Sequence, residues 1–595
     1  MKLFYILSML YLLISFLCYQ KKNKRLNILF EIVYAIGLLF CYNTVVVSLF
    51  GLFKIGGSLL YYGIFNCLIG SLLNIISYKN KRIQKYKISF RTCALFFSIL
   101  LIVFLVTYIR FSGFEAIRYE SGDAAIHYRI AKHFSRELAM LTSKNSLDLI
   151  YGAFGRGLSI SYINSGFLLH FFSNISSSKV FIMYDAFCLI LSALLFFSTI
   201  YQISEKFFKR KYYICFILIT LIYILAFPMN SMVFGFFYLG LAVVVMNLIL
   251  LTFFRIDGHF LEQKIFFISI LFMLMFSIFF SYYLFMPCIY LASGIYYICC
   301  FKERLINFKE LLLYGVITLI IPFIIGFVYF ILPGLIDKET NSIFSLVQLQ
   351  GYTYDNKTPI LMFLFVTVYL IYDRVFHKNK LNYFMISFYV VTGYVGLFFI
   401  LYLIGYSGTY YFYKLFYLYW LFVVLFFGSR FISNWKFVYM LFLFVIFVSF
   451  YVVIKPNSSF SNFLTKSNIY SFNARTFLED RLNFNKEEVD LMEKSMNYQD
   501  ICEQKKRFLM IGDYQKNAWF YSVTGMVPVS GYLNNGEYRI HDEVGMTFKF
   551  WEGFTDYDCV VYYYEGNKIN FDRNVYDVLY ENETGAILKR KDNSD

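Results

Sequence analysis

Phe111-Ser112-Gly113-Phe114-Glu115-Ala116-Ile117-Arg118-Tyr119-Glu120-Ser121-Gly122-Asp123-Ala124-Ala125-Ile126-His127-Tyr128-Arg129-Ile130-Ala131-Lys132-His133-Phe134 is a polar island in an apolar chain. It gathers acids, bases and histidines directly after residues 90–111, a run long enough to cross a hydrocarbon core. A helix is expected from near Ser121 through Leu141, with Asp123 as a favourable cap at the positive end of the helix dipole. His127 is one turn further on and shares a face with Asp123. Arg129, Lys132, His133 and Arg136 add the cations that a phosphate-bearing partner needs. Asp123 reads as a carboxylate that accepts a proton at the outer membrane surface.

Around the island the chain is 59% hydrophobic and 15% charged, against a usual apolar share of about 45–50% in soluble domains. The excess comes in blocks of roughly twenty residues, which identifies a polytopic α-helical membrane protein rather than a β-barrel. Spans are expected near 1–19, 26–50, 56–78, 90–111, 180–203, 213–228, 232–254, 265–283, 284–300, 311–332, 359–376, 383–405, 415–432 and 437–454. That is about fourteen helices in a transmembrane domain covering residues 1–454. Residues 158–172 are apolar but broken by Ser159, Ser161, Asn164, Ser165, Gly166 and His170. They read as interfacial or re-entrant, because a span there breaks the alternation of loop charge.

That alternation sets the topology. The net charge of +16 lies mostly in short loops. Residues 21–25, 79–87 and 206–211 are basic, as are Arg255 with Lys264, Lys302 with Arg304 and Lys309, Arg374 with Lys378 and Lys380, and Arg430 with Lys436. All fall on one side, the cytoplasmic one by the positive-inside rule. Residues 112–178, 333–358, 405–414 and everything after Lys455 then lie outside. The basic residues are topology determinants, and no nucleic-acid partner is expected. Residues 1–19 have no small-residue cleavage site and read as a retained anchor.

Residues 456–595 mix polar and apolar positions. Glu479–Tyr498 reads as an amphipathic helix, Arg507–Asp513 and Cys559–Tyr564 as strands, and Asn517–Thr524 as a helix between them. Val575–Tyr580 and Ala586–Lys589 read as a hairpin across Asn582-Glu583-Thr584-Gly585. An extracytoplasmic α/β domain follows from this pattern. Of the 11 cysteines, Cys502 and Cys559 lie in this part; two free thiols are expected, with pairing open only if it meets an oxidising compartment.

A second candidate site is Gly405-Tyr406-Ser407-Gly408-Thr409-Tyr410-Tyr411-Phe412-Tyr413-Lys414-Leu415-Phe416-Tyr417, a short outer loop entering a span. In a helix Tyr410, Lys414 and Tyr417 line one face. Lys414 is expected to grip a lipid phosphate while Tyr410 and Tyr411 donate hydrogen bonds. Asp185, just inside an outer helix end, is an intramembrane acid and so a functional suspect. Arg156 and His170 are further phosphate-binding candidates, and Asp337-Lys338-Glu339 opens a loop able to act as a lid. Gly512-Asp513 is read as ordinary turn chemistry. The chain contains no Walker loop, HExxH, GxSxG or Cys/His cluster, so ATP-driven transport, metalloproteolysis and serine hydrolysis lack support.

Gly122-Asp123-Ala124-Ala125-Ile126-His127-Tyr128 in a first large outer loop, followed by an amphipathic helix, resembles the GT-C superfamily of membrane glycosyltransferases. The resemblance implies a sugar donor carried on polyprenyl phosphate and an essential loop acid, which maps onto Asp123. Three helices precede the loop where the family usually has one, and no second acid adjoins Asp123; a divalent metal is left open and no other cofactor is implied. The acceptor would be a cell-envelope glycan, lipid or protein, and the Lys-, Ile-, Asn- and Phe-rich composition suggests a bacterial source. A transporter or flippase of lipid-linked glycans is the alternative, for which internal repeats and broken helices are expected. A membrane-anchored surface-binding module is a weaker one, since so many helices exceed what an anchor requires.

Overall fold

A computed structural model of the chain describes residues 1–18, 26–79, 86–87, 89–139, 159–207, 212–256, 264–332, 357–377, 382–432, 434–478, 483–498, 501, 509–511, 514–524, 529–534, 537–541, 547–550, 559–564, 574 and 576–591. The protein is a polytopic helical membrane protein. Among the described residues ten helices are long and apolar enough to cross a bilayer. They are Ile28–Leu52, Leu59–Tyr78, Phe90–Arg110, Ser177–Glu205, Phe237–Ile256, Tyr283–Lys302, Phe308–Phe330, Tyr383–Leu403, Thr409–Phe431 and Trp435–Ile454. The pair Tyr213–Ile224 and Phe227–Phe234, bent by 42°, makes an eleventh if it is one span. The remaining expected spans also fall on helices. Lys2–Leu17 and Phe267–Ser281 are apolar but shorter, and Lys357–His377 is a helix outside the ten.

The bundle has an inside and an outside. Ile28–Leu52, Ser177–Glu205, Phe237–Ile256 and Thr409–Phe431 are largely buried, while Leu59–Tyr78, Phe90–Arg110, Phe308–Phe330 and Trp435–Ile454 turn most of their apolar side chains outward, as lipid-facing helices do. Among the described residues two ion pairs lie within the bundle. Arg255 meets Glu31 at 2.7 Å and stacks over Tyr34, and Arg430 meets Asp373 at 2.9 Å and stacks over Phe426.

The bend has a visible cause. Between Ile224 and Phe227 the chain leaves the helix, with Pro228 in the first turn of the second piece. The carbonyls of Leu225 and Ala226 are taken up by Asn473 Nδ2, at 2.8 and 2.6 Å, from a helix that follows the last span. Asn230 donates back to Asn473 Oδ1 at 3.0 Å and accepts from the Tyr417 hydroxyl.

The C-terminal part carries a seven-stranded mixed sheet, in the order Tyr576–Asn582, Gly585–Arg590, Cys559–Tyr563, Leu509–Ile511, Val529–Asn534, Glu537–His541 and Thr547–Phe550. Leu509–Ile511 is parallel to both neighbours, and helix Tyr514–Thr524 makes the crossover. The expected hairpin is present: Asn582 Oδ1 accepts from the Thr584 and Gly585 amides, which closes the turn. Two expectations change. The amphipathic helix starts at Lys486, where Asn485 and Glu488 form a capping box, and residues 483–484 are extended; 479–482 lie outside the described residues. Cys559 is disulfide-bonded, with a partner outside the described residues.

Candidate functional site

The polar island is held by its neighbours before it reaches Asp123. Arg110, at the end of its span and only 1% exposed, directs its guanidinium to the Thr476 carbonyl, the Arg118 carbonyl at 3.0 Å and Glu120 at 3.4 Å. Ser112, Gly113 and Phe114 are all left-handed, which turns the chain back over the helix end. Ile117–Arg118 then pairs with Asn483–Phe484 of the C-terminal part, and the Glu120 amide donates to Val233 O at 2.9 Å. Gly235, at φ 71°, ends the second half of the bent pair. A Cβ there would come within 2.4 Å of Ala124, so only glycine lets the loop helix settle against that end.

The loop helix runs from Asp123 to Glu137 and ends at left-handed Leu138. Asp123 is its first residue, not its cap. Gly122 occupies the cap position, and Ser121 Oγ takes the Asp123 amide at 3.0 Å, which leaves the Asp123 carboxylate without a capping duty. Residues 140–158, and with them Arg156, lie outside the described residues.

On one face of this helix Asp123 and His127 lie within electrostatic reach of Lys414. Lys414 is 2% exposed, and its ammonium donates to the Tyr238 hydroxyl at 2.7 Å and to Tyr410. Rings of Tyr410, Phe236, Tyr238 and Tyr282 surround it with centroids at 4.0, 4.8, 5.2 and 5.8 Å. The His127 ring packs against Tyr162, Tyr238 and Phe237, and its Nδ1 lies 2.6 Å from the Tyr162 hydroxyl. Burial holds the His127 imidazole well below its usual proton affinity; nearby Asp123 opposes this and Lys414 adds to it. Asp123 also acts electrostatically on Lys414. The site thus combines a half-buried carboxylate, a neutral imidazole and a buried ammonium. Tyr238 and Tyr410 both accept from the ammonium, and Tyr238 also donates to Tyr410, so it is the Tyr410 hydroxyl proton that remains to be donated to an anion.

The opposite face of the helix docks on the C-terminal part. Arg129 is six residues from Asp123, roughly 120° away around the helix, and stacks over Tyr521 at 4.7 Å instead of joining the cluster. Lys132 donates to the Val523 carbonyl, and burial first, then Arg136, lowers its proton affinity to a pKa of about 8. Trp519 is buried between Tyr119 and Tyr128, with centroids at 5.8 and 5.6 Å. Glu115 meets Lys179 and Lys486 at 3.4 and 3.3 Å, and the two lysines hold its carboxyl below the usual range.

Other expected residues lie elsewhere. Tyr411 faces Tyr283 rather than Lys414. The stretch read as re-entrant is a buried twelve-residue helix, Ile160–Phe171, where His170 Nδ1 lies 2.8 Å from Ser135 O. Asp185 is buried behind Tyr119. Residues 333–356 and 512–513 lie outside the described residues.

Tyr238, Tyr282 and Tyr162 are site residues that pattern reading missed. The one signal for Tyr238 was the run Phe234-Gly235-Phe236-Phe237-Tyr238, which in a chain with 55 tyrosines and 74 phenylalanines is lost in the background. Among the described residues no group of three or more His, Cys, Asp or Glu side chains is placed to hold a metal ion. No known family model matches the chain, and no curated protein matches it either.

Proposed function

We propose that this protein is a GT-C-like glycosyltransferase that moves a sugar from a polyprenyl-phosphate donor to a cell-envelope glycan, lipid or protein on the outer face of the membrane. The observation that carries the reading is the caged Lys414, bonded to Tyr238, with His127 packed on the same tyrosine and Asp123 within electrostatic reach of both. The acceptor hydroxyl oxygen attacks the anomeric carbon while the bond from that carbon to the phosphate oxygen breaks. The electron pair leaves with the prenyl phosphate, and the acceptor proton passes to Asp123. Negative charge that grows on the leaving phosphate faces Lys414 and the Tyr410 hydroxyl, as electrostatic catalysis requires. A single displacement inverts the anomeric centre and needs no second carboxylate. The outer location is supported by the loop charges and by the Cys559 disulfide, which belongs to an oxidising compartment.

The test is transfer or hydrolysis of radiolabelled sugar from a prenyl-phosphate donor by the purified chain in liposomes. We expect release with the parent and a loss of about 10²- to 10⁴-fold in Asp123→Asn, the range of a missing general base. No release by the parent, or a variant as active as the parent, overturns the proposal.

One observation favours a second reading, a flippase: the 42° break between Tyr213–Ile224 and Phe227–Phe234 is of the kind transporters place at a substrate path. Asn473, however, fixes the freed carbonyls, which argues for a static break. Movement of an intact labelled lipid between leaflets, with no sugar released, would favour the flippase.

A further inference from the structure

Five carboxylates are buried among the described residues: Glu31, Asp185, Glu310, Asp373 and Glu488. Four are accounted for. Glu31, Asp373 and Glu488 meet Arg255, Arg430 and Lys516, and Glu310 accepts the Asn307 amide at 2.9 Å in a capping box. Asp185 is different. It sits within the span Ser177–Glu205, 3% exposed, among Tyr119, Tyr184 and Cys188; Tyr119 donates toward the carboxylate, but its Oδ2 has no hydrogen-bond partner. A carboxylate at that depth is costly unless something neutralises it.

Asp185 lines a cavity of about 20 Å³, together with Ser192, Pro228, Ser231, Gly240 and Tyr417. That volume suits one water-sized occupant. Two of the three hydroxyl protons on its wall are committed elsewhere, and the third hydroxyl already has a hydroxyl neighbour. Ser231 donates to Phe236 O at 2.7 Å, Tyr417 donates to Asn230 Oδ1, and Ser192 lies 3.3 Å from the Tyr223 hydroxyl. Against a lining otherwise made of Cys188, Leu189, Met232, Phe237 and Val243, the polar part of the wall offers hydroxyl lone pairs and one carboxylate. Pro228 places the cavity at the start of Phe227–Phe234, beside the helix break, where membrane proteins commonly seat small cations.

We propose that Asp185, with the hydroxyl oxygens of Ser192, Ser231 and Tyr417, binds one monovalent cation of sodium size in the membrane interior. Oxygen donors suit a hard cation, and a single carboxylate balances one positive charge. The site is separate from the Asp123–Lys414 cluster, and its test needs no turnover.

The test is the unfolding midpoint of the full chain in detergent, titrated with NaCl against choline chloride at constant ionic strength, alongside equilibrium binding of ²²Na⁺. The parent should show a saturable rise in midpoint with Na⁺ and bind one ion per chain. Asp185→Asn should lose both the shift and the binding. Ser231→Ala should need several-fold more Na⁺ for half the shift, which keeps the idea testable if Asp185→Asn fails to fold. The proposal is overturned by a parent indifferent to Na⁺, by an Asp185→Asn chain that keeps the shift, or by Ser231→Ala titrating like the parent. A pH-dependent shift without Na⁺ dependence, absent in Asp185→Asn, would make the proton the occupant and overturn the cation site.

Discussion

His127 is a buried base that must stay neutral to remain packed among Tyr162, Phe237 and Tyr238. Its folded-state proton affinity lies below the ordinary imidazole value, mainly through burial. The unfolded chain takes up this proton near pH 6.5, and the folded chain only at lower pH. Between those points the unfolded state holds more protons, so stability is full above about pH 6.5 and falls as the pH drops, by at most about 1.4 kcal/mol per pH unit. His127→Gln should lose this part of the acid sensitivity. Unfolding midpoints in detergent from pH 7.5 to 4.5 should show the gap between parent and variant moving in the variant's favour on acidification. A gap that does not change with pH contradicts the assignment.

The loop helix Asp123–Glu137 is clamped from both sides, the cluster on one face and helix Tyr514–Thr524 on the other. Trp519 is the centre of the second contact. Truncating so large a buried side chain costs about 3–5 kcal/mol. Trp519→Ala should therefore lower the unfolding midpoint and cut sugar release, while Trp519→Phe should restore most of both. Equal behaviour of the alanine variant and the parent would mean that the clamp does not hold the helix. The helix was legible in the sequence because Asp123 and His127 are one turn apart and its apolar positions recur with helical period. Its partners were not. Trp519 lies nearly 400 residues away in the chain, and nothing in local periodicity announces a contact of that separation. The same reason hides Tyr238, and hides the pairing of Ile117–Arg118 with Asn483–Phe484. Arg129 is expected at the site because the sequence shows a cation near Asp123 but not the roughly 120° that separates them around the axis.

Taken whole, the chain is a helical bundle with a sheet-bearing part packed against its loop helix and paired with Ile117–Arg118. Hydropathy made the spans legible, since each is a block of apolar residues. The strands Val529–Asn534, Glu537–His541 and Thr547–Phe550 were missed, because they have no long apolar run to mark them. The topology read from loop charge puts this part outside the cell. Single cysteines at Ser112 and Asn574, in a background lacking other reactive thiols, should react with a membrane-impermeant maleimide on intact cells. A cysteine at Arg304 should react only after permeabilisation. The reverse pattern contradicts the orientation.

The central claim is that Asp123 and Lys414 act on one substrate. A double-mutant cycle in sugar release, with Asp123→Asn, Lys414→Gln and the pair, tests it most directly. Groups that share one transition state are expected to be strongly non-additive, so the double variant should lose far less than the product of the single losses. Simple multiplication of the two losses would place the residues in separate roles and contradict the account.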